Sequence, residues 1–236
     1  MLAGLISYAL LAALATALLV AAVTDLRRRE IDNWLNAAIA LAAPLYWLAV
    51  GLDWVAVLFQ LGLALLTFAI ACALFAMRQM GGGDVKLLSA LALWFVPHSF
   101  LQVIVIMGLT GGAASVAMAV FNMKRKPAEG LRNGLSTFAA TLWVMGACTL
   151  AYPAVTGRPL IDADALFAAL AVLPKGWPLA LIGALMLALF LAGMSHIFRR
   201  QRGAIPIPYG VAISAASLCV LAQDVVSAPL SGLLQG

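Results

Sequence analysis

Two aspartates, Asp25 and Asp84, stand where apolar runs of the sequence meet short polar segments, and Asp84 directly follows the glycine triplet Gly81–Gly83. A carboxylate at the edge of a membrane is energetically costly and commonly functional. Glycines beside it free the backbone from side chains, so that another chain can come close. Two carboxyl groups held together share a proton, and such a pair can activate a water and protonate a leaving amine. The residues therefore indicate a paired-carboxylate site.

The predicted helix ends suggest an asymmetry between the two carboxyl groups. Asp84 begins a predicted helix, where the helix dipole favours the anion, whereas Asp25 ends one, where the dipole disfavours it. We therefore predict that Asp84 is the base and Asp25 the resting acid, although Arg27 to Arg29 could cancel this bias. Each aspartate also has a simpler interpretation. Asp84 suits a helix N-cap, and Asp25 is then an interfacial charge near the arginines.

The composition excludes a soluble protein. The chain has 236 residues, of which 65% are hydrophobic and 10% charged, and its mean hydropathy is +1.07. Soluble domains contain about 25% charged residues, and disordered segments are far less apolar. Apolar runs near 20 residues recur along the chain, which predicts an all-α polytopic membrane protein.

Eight of these runs predict about eight transmembrane helices. The first is predicted to be a retained span, since no basic residue precedes it. The fourth is short for a full span and is expected to start or end in the interface, and the piece 165–173 is expected to be interfacial as well. The predicted spans are roughly 4–24, 34–50, 54–77, 84–97, 99–121, 135–155, 177–198 and 207–227.

The basic residues orient these spans. With the N-terminus outside, 12 of the 14 lysines and arginines fall on the cytoplasmic side, and only Arg158 and Lys175 lie outside. This distribution follows the positive-inside rule, and it places Asp25 and Asp84 on the same, cytoplasmic side. The net charge of +5 is thus a topology signal, and no nucleic-acid partner is expected.

The cysteines and histidines do not predict a metal site. Cys72, Cys148 and Cys219 each lie inside an apolar run, far apart and without a CxxC motif, and His98 and His196 are isolated. Small apolar packing residues are the better interpretation of such cysteines. We therefore expect neither a metal nor a cofactor.

Three motifs carry a resemblance to a known family. Gly81-Gly82-Gly83-Asp84 matches the GxGD signature of membrane-embedded aspartic proteases, and its extension Val85-Lys86-Leu87-Leu88 resembles the type IV prepilin peptidases. The segment from Thr24 to Asn33 resembles their first-aspartate motif, D-L-x-x-x-x-I-P-N, with Asp32 in place of the proline. The segment Ile207–Ile213 resembles their late Pro-Tyr-Gly segment.

The resemblance implies a GxGD protease-like bundle forming a single integral membrane peptidase domain, 1–236. Its family-like core covers 1–121 and 203–227, and 122–202 is similar to a two-helix insertion. Larger family members carry a cysteine-rich zinc segment and N-methylate the cleaved pilin. This chain lacks such cysteines and resembles the short subgroup associated with Flp, or tight-adherence, pili, which implies cleavage without methylation.

The implied function is an aspartic endopeptidase of the bacterial inner membrane. It would cleave the short basic leader from prepilins at the cytoplasmic face, with the bilayer and a prepilin (leader plus hydrophobic helix) as partners. Asp25 and Asp84 are the implied catalytic residues. The implied substrate-binding residues are Gly81, Gly82, Gly83 and Lys86. The sequence leaves the oligomeric state open.

Two rival interpretations remain at this stage. One is a proton- or cation-coupled transporter or channel subunit that uses the carboxylates as an ion site. Transporters commonly place such sites at the bilayer midplane, within internal repeats. Here both aspartates lie at the edge and no repeat is evident, which favours the peptidase. The other rival is an inactive structural partner in pilus assembly.

Overall fold

The computed structural model describes residues 2–158, 168, 171, 176–202 and 209–227. These residues form α-helices without any β-strand, apart from an isolated bridge between Met123 and Gln201. The predicted all-α class is confirmed. The predicted interfacial piece 165–173 lies almost wholly outside the described residues, as does the start of the segment 207–213. The helices are α1 (Leu2–Arg28), α2 (Asn33–Val50), α3 (Trp54–Ala76), α4 (Gly82–Leu91), α5 (Pro97–Phe121), a 3₁₀ turn (Pro127–Glu129), α6 (Gly130–Thr156), α7 (Trp177–Arg199) and α8 (Tyr209–Ser227).

Seven of the described helices are long and apolar enough to cross a membrane, which makes this a multi-pass membrane protein. The sequence predicted about eight spans, and the difference is α4, which has only 10 residues. A helix of that length is about 15 Å long, half of the roughly 30 Å hydrocarbon core. The rest of the fourth apolar run forms turns up to residue 96.

The α4 segment nevertheless runs far along α3. At its start, a Cβ on Gly82 would lie 3.5 Å from the Phe75 ring. At its end, the Gln60 Nε2 donates a hydrogen bond to the Phe95 carbonyl at 2.5 Å. Gln60 and Phe75 are separated by about 22 Å of helix. The short helix and its turns together therefore return the chain through most of the depth that α3 spans.

Side-chain donors satisfy the backbone carbonyls in this region. The Trp47 Nε1 donates to the Leu93 carbonyl at 2.8 Å, and the Trp94 Nε1 donates to the Ile39 carbonyl at 2.8 Å. Carbonyls at a helix end have no partner within the helix, and a bilayer provides no water to replace one. These tryptophans therefore stabilise an irregular backbone at membrane depth and fix α4 against α2.

The chain divides into two compact units, Met1–Gly108 with Pro208–Gly236, and Leu109–Ile207. In the first, α1 packs against α2 and α8, while α4 packs against α2, α3 and α8. In the second, α6 packs against α7, where a Cβ on Gly193 would lie only 2.7 Å from the Ala139 Cβ. The predicted division into a family-like core and an insertion, 122–202, stays a prediction.

Replacement of Trp47 by phenylalanine should destabilise the protein by about 1 kcal/mol, the usual net value of one hydrogen bond. The ring remains, but the Leu93 carbonyl loses its donor. The measurement is the thermal unfolding midpoint in detergent. The matched control is Trp54→Phe, because Trp54 is 83% exposed at the start of α3. Equal midpoints for the two variants would contradict the assigned role of the Trp47 bond.

Candidate active site

Asp25 and Asp84 line one cavity of about 380 Å³. Three pieces of the chain form it: the end of α1, the loop that connects α1 to α2, and the start of α4. The lining residues are Asp25, Arg29, Glu30, Ile31, Asp32, Asn33, Gly81, Gly82, Gly83 and Asp84. The fold thus brings together the two carboxylates that the sequence singled out, together with the whole glycine triplet.

Asp25 lies in the last turn of α1 and is only 6% exposed. Its Oδ2 accepts a hydrogen bond from the Val211 N–H at 3.1 Å, and the Gly210 N–H also bonds to this carboxylate. Both donors belong to the first turn of α8. The N-terminus of a helix offers free N–H groups and favours negative charge. The first turn of α8 therefore stabilises Asp25 as an anion.

Gly210 permits this contact because it has no side chain. A Cβ at Gly210 would lie 2.8 Å from the Asp25 Oδ2 and 2.8 Å from the Ile31 Cδ1. Both distances are well below van der Waals contact, so any other residue would displace the carboxylate or the loop. Sequence reasoning noted the Pro-Tyr-Gly segment but gave Gly210 and Val211 no role at the site. The one feature of the sequence that could have indicated this role is the glycine at the start of the last apolar run.

Asp84 is the third residue of α4, and Gly81 rather than Asp84 occupies the N-cap position. The Asp84 Oδ2 accepts a hydrogen bond from the Gly81 N–H at 3.3 Å, which is one of the two bonds of a capping box, since Gly81 has no side chain for the other. The interpretation of Asp84 as the N-cap residue is therefore wrong, because Gly81 occupies that position. Burial, and then the nearby charge of Asp25, raises the pKa of Asp84 to about 6, against the opposing effect of the Gly81 N–H.

This geometry bears on the predicted acid and base roles, which stay a prediction. The prediction assumed that Asp25 meets only the unfavourable C-terminal end of α1, but its carboxylate also meets the favourable N-terminal end of α8. Asp84 has a single long hydrogen bond from Gly81 and a raised pKa. The hydrogen bonds thus support the charged form of Asp25 more strongly than that of Asp84.

The glycine triplet lets the start of α4 lie close to the α1–α2 loop. A Cβ on Gly83 would lie 3.3 Å from the Ile31 Cβ, and one on Gly81 would lie 2.9 Å from the Asp84 Oδ2. Both glycines also line the cavity. Contact between the triplet and a substrate stays a prediction. Lys86 lines a neighbouring groove instead, where its Nζ donates to the Asn33 Oδ1 at 2.7 Å.

The cavity offers carboxylates to a substrate and no cluster suited to a metal. Within the described ranges, no group of three or more histidine, cysteine, aspartate or glutamate side chains is placed to hold a metal ion. The chemistry that the geometry supports is therefore that of the carboxyl pair itself. Because the two groups interact, they are expected to titrate as a unit.

A family model matches part of the chain. Residues 12–116, somewhat less than half of the chain, match the type IV leader peptidase family. The matched range contains both aspartates and the glycine triplet, and it implies a peptidase, hence a hydrolase. A comparison with curated proteins and with solved structures found no match. The resemblance to the family is confirmed, whereas the short Flp subgroup stays a prediction.

Replacement of Gly210 by alanine should lower peptidase activity about 100-fold, because a misplacement of about 1 Å at a catalytic group has that effect. The new methyl group would displace the Asp25 carboxylate. The measurement is kcat/KM in detergent, with thermal unfolding to verify the fold. The control is Gly62→Ala within α3, where a Cβ meets nothing within 4 Å. Activity in Gly210→Ala equal to that of the control would contradict this role.

Replacement of Asp84 by asparagine should stabilise the protein at neutral pH. The pKa of Asp84 is raised from 3.8 to about 6 in the folded state, so the folded protein holds this proton more tightly than the unfolded chain. Wild-type stability should therefore fall as the pH rises from about 4 through 6. The unfolding midpoint of Asp84→Asn should exceed that of the wild type above pH 6, and the difference should shrink toward pH 4. A difference independent of pH would exclude this ionisation as its cause.

Proposed function

We propose that this protein is a membrane-embedded aspartic endopeptidase that cleaves the leader from type IV, Flp-like prepilins. The observation that carries the proposal is the single cavity shared by Asp25 and Asp84, inside the range that matches the leader peptidase family. One carboxylate there receives N–H donors from the first turn of a helix, whereas the other receives a single long bond from Gly81. A pair with one proton is the form that aspartic hydrolysis requires.

The reaction follows from these protonation states. The Asp25 carboxylate removes a proton from a water whose oxygen attacks the scissile carbonyl carbon, while Asp84 gives its proton to the carbonyl oxygen. In the second step the C–N bond breaks as Asp25 returns its proton to the amine nitrogen. The hydroxyl proton of the tetrahedral intermediate goes back to Asp84. Neither step requires a metal or a covalent enzyme intermediate, and the pair ends in its starting state.

The cytoplasmic side of the bacterial inner membrane is the proposed location of the cleavage. The site lies where α1 ends and α4 begins, beside the basic Arg27 to Arg29 segment. Basic loops favour the cytoplasm, and a basic leader would stay on the same side. An extended substrate backbone could pair beside Gly81 to Gly83, where no side chain intervenes. We further propose that the cleaved product is not N-methylated, because the three cysteines are far apart in the chain and provide no zinc segment.

The position of the aspartates does not favour the transporter alternative. Asp25 lies in the last turn of α1 and Asp84 in the first turn of α4, so both occupy helix ends. Ion sites of transporters commonly lie at the bilayer midplane instead. Proteoliposomes separate the two functions, since a transporter would move protons or cations across the bilayer without cleaving a prepilin.

Replacement of either Asp25 or Asp84 by asparagine should reduce cleavage by at least about 1,000-fold. Asparagine can neither activate the attacking water nor protonate the carbonyl oxygen. The assay is cleavage of a model prepilin in detergent, with mass spectrometry of the new N-terminus to detect methylation. Because the raised pKa of Asp84 is about 6, wild-type kcat/KM should decline as the pH rises through that value.

The matched control for this experiment is Asp53→Asn. Asp53 caps α3 by accepting the Ala56 N–H at 2.9 Å, and asparagine caps a helix equally well. This variant should cleave at the wild-type rate. Cleavage that survives in Asp25→Asn and Asp84→Asn would exclude the carboxyl pair as the catalyst.

A further inference from the structure

A second concave surface adjoins the aspartate cavity. It is a groove of about 490 Å³ formed by α2, α3 and α4, and Lys86 lies on its rim. Asn33 lines both this groove and the aspartate cavity. The two surfaces therefore adjoin at Asn33.

The groove is lined mainly by small residues. Ala37 and Ala40 project from α2, Ala64 from α3, and Ser89 and Ala90 from α4. Small residues on membrane helices allow another helix to approach closely and gain van der Waals contact along its length. Three helices of this protein thus contribute small side chains to one surface on which a further helix would fit.

Asn36 provides an independent sign of a missing partner. It lines the groove and is only 4% exposed. Its Nδ2 donates to the Gly83 carbonyl at 3.4 Å, but its Oδ1 has no hydrogen-bond partner within the described part of the chain. A buried acceptor without a donor costs about 1–3 kcal/mol. Asn36 therefore combines an unused acceptor with a contact to the glycine triplet.

We propose that this groove binds the first two turns of the substrate's hydrophobic helix, directly after the scissile bond. The proposal rests on the proposed function. From Asn33 to Ala40 the groove follows α2 for about 10 Å, which is about two turns of helix. A helix seated there would place the preceding residues in the aspartate cavity through the surface shared at Asn33.

A lipid chain is the less suitable occupant. The groove has a polar end, where the Lys86 Nζ bonds to the Asn33 Oδ1, and it contains the unused Asn36 acceptor. An acyl chain has no donor for that oxygen, whereas the first turn of a helix has free N–H groups. Because the groove adjoins the aspartate cavity, a peptide occupant can also place a peptide bond in that cavity, which an acyl chain cannot.

The first experiment fills the groove. Ala37→Phe places a large ring in it, and Ala38→Phe, the neighbouring exposed alanine outside the groove, is the matched control. Two substrates are compared, a prepilin with its hydrophobic helix and a short peptide that carries only the cleavage site. Ala37→Phe should raise the ratio of the KM for the prepilin to the KM for the peptide about tenfold. Ala38→Phe should leave that ratio unchanged.

The outcomes separate this proposal from the proposed function. A wild-type protein that cleaves neither substrate would contradict the peptidase itself. An active wild type whose KM ratio is the same in Ala37→Phe would overturn the groove proposal alone.

The second experiment identifies the occupant directly. Ala40→p-benzoylphenylalanine, combined with Asp84→Asn to prevent turnover, is irradiated in vesicles with and without the prepilin. Mass spectrometry should find the adduct on the first two turns of the substrate helix. The same photoreactive residue at Ala38 should give no such adduct. Adducts with lipid alone in the presence of the prepilin would overturn the proposal.

Discussion

The hydrogen bonds from the first turn of α8 to Asp25 are the contact on which the site depends. A buried carboxylate without partners is costly, and charge-assisted bonds from backbone N–H groups are among the strongest that a protein can offer. Here the donors come from residues 210 and 211, far along the chain from Asp25. The end of α1 is therefore fixed by a helix that follows the whole second unit in sequence. Asp84 has only one long bond, from the Gly81 N–H.

The shortness of α4 has a related consequence. In the structure, α4 has 10 residues, and side chains of α2 and α3 satisfy the turns that follow it. The tryptophan and glutamine donors thus allow a helix N-terminus, with Asp84 in its first turn, to be held within the helix bundle. The hydrogen bonds that hold the turns after α4 thus help to keep Asp84 in place at the start of the same helix.

Much of this arrangement could be predicted from the sequence. Hydropathy predicts the helices, and the glycine triplet and the positive-inside pattern predict that Asp25 and Asp84 meet. The features that the sequence did not predict depend on contacts between helices that are far apart in the chain. The turns after α4 are held by the Trp47 and Gln60 donors, which an apolar run does not reveal. Asp25 also contacts the first turn of α8, and an argument from its own helix end does not reveal this contact.

The departure at Asp32 shows how the loop beside the site tolerates a change from the family's motif. The motif has proline there, and Asp32 adopts φ −60° and ψ 136° at the N-cap of α2. Proline fixes φ near this same value, so the backbone is the one that the motif would impose. Asp32 also pairs with Arg28 at 3.1 Å, but both side chains are substantially exposed, and exposed pairs contribute little. The conformation of the loop, rather than its charge, is therefore what positions Ile31 against Gly83 and Gly210.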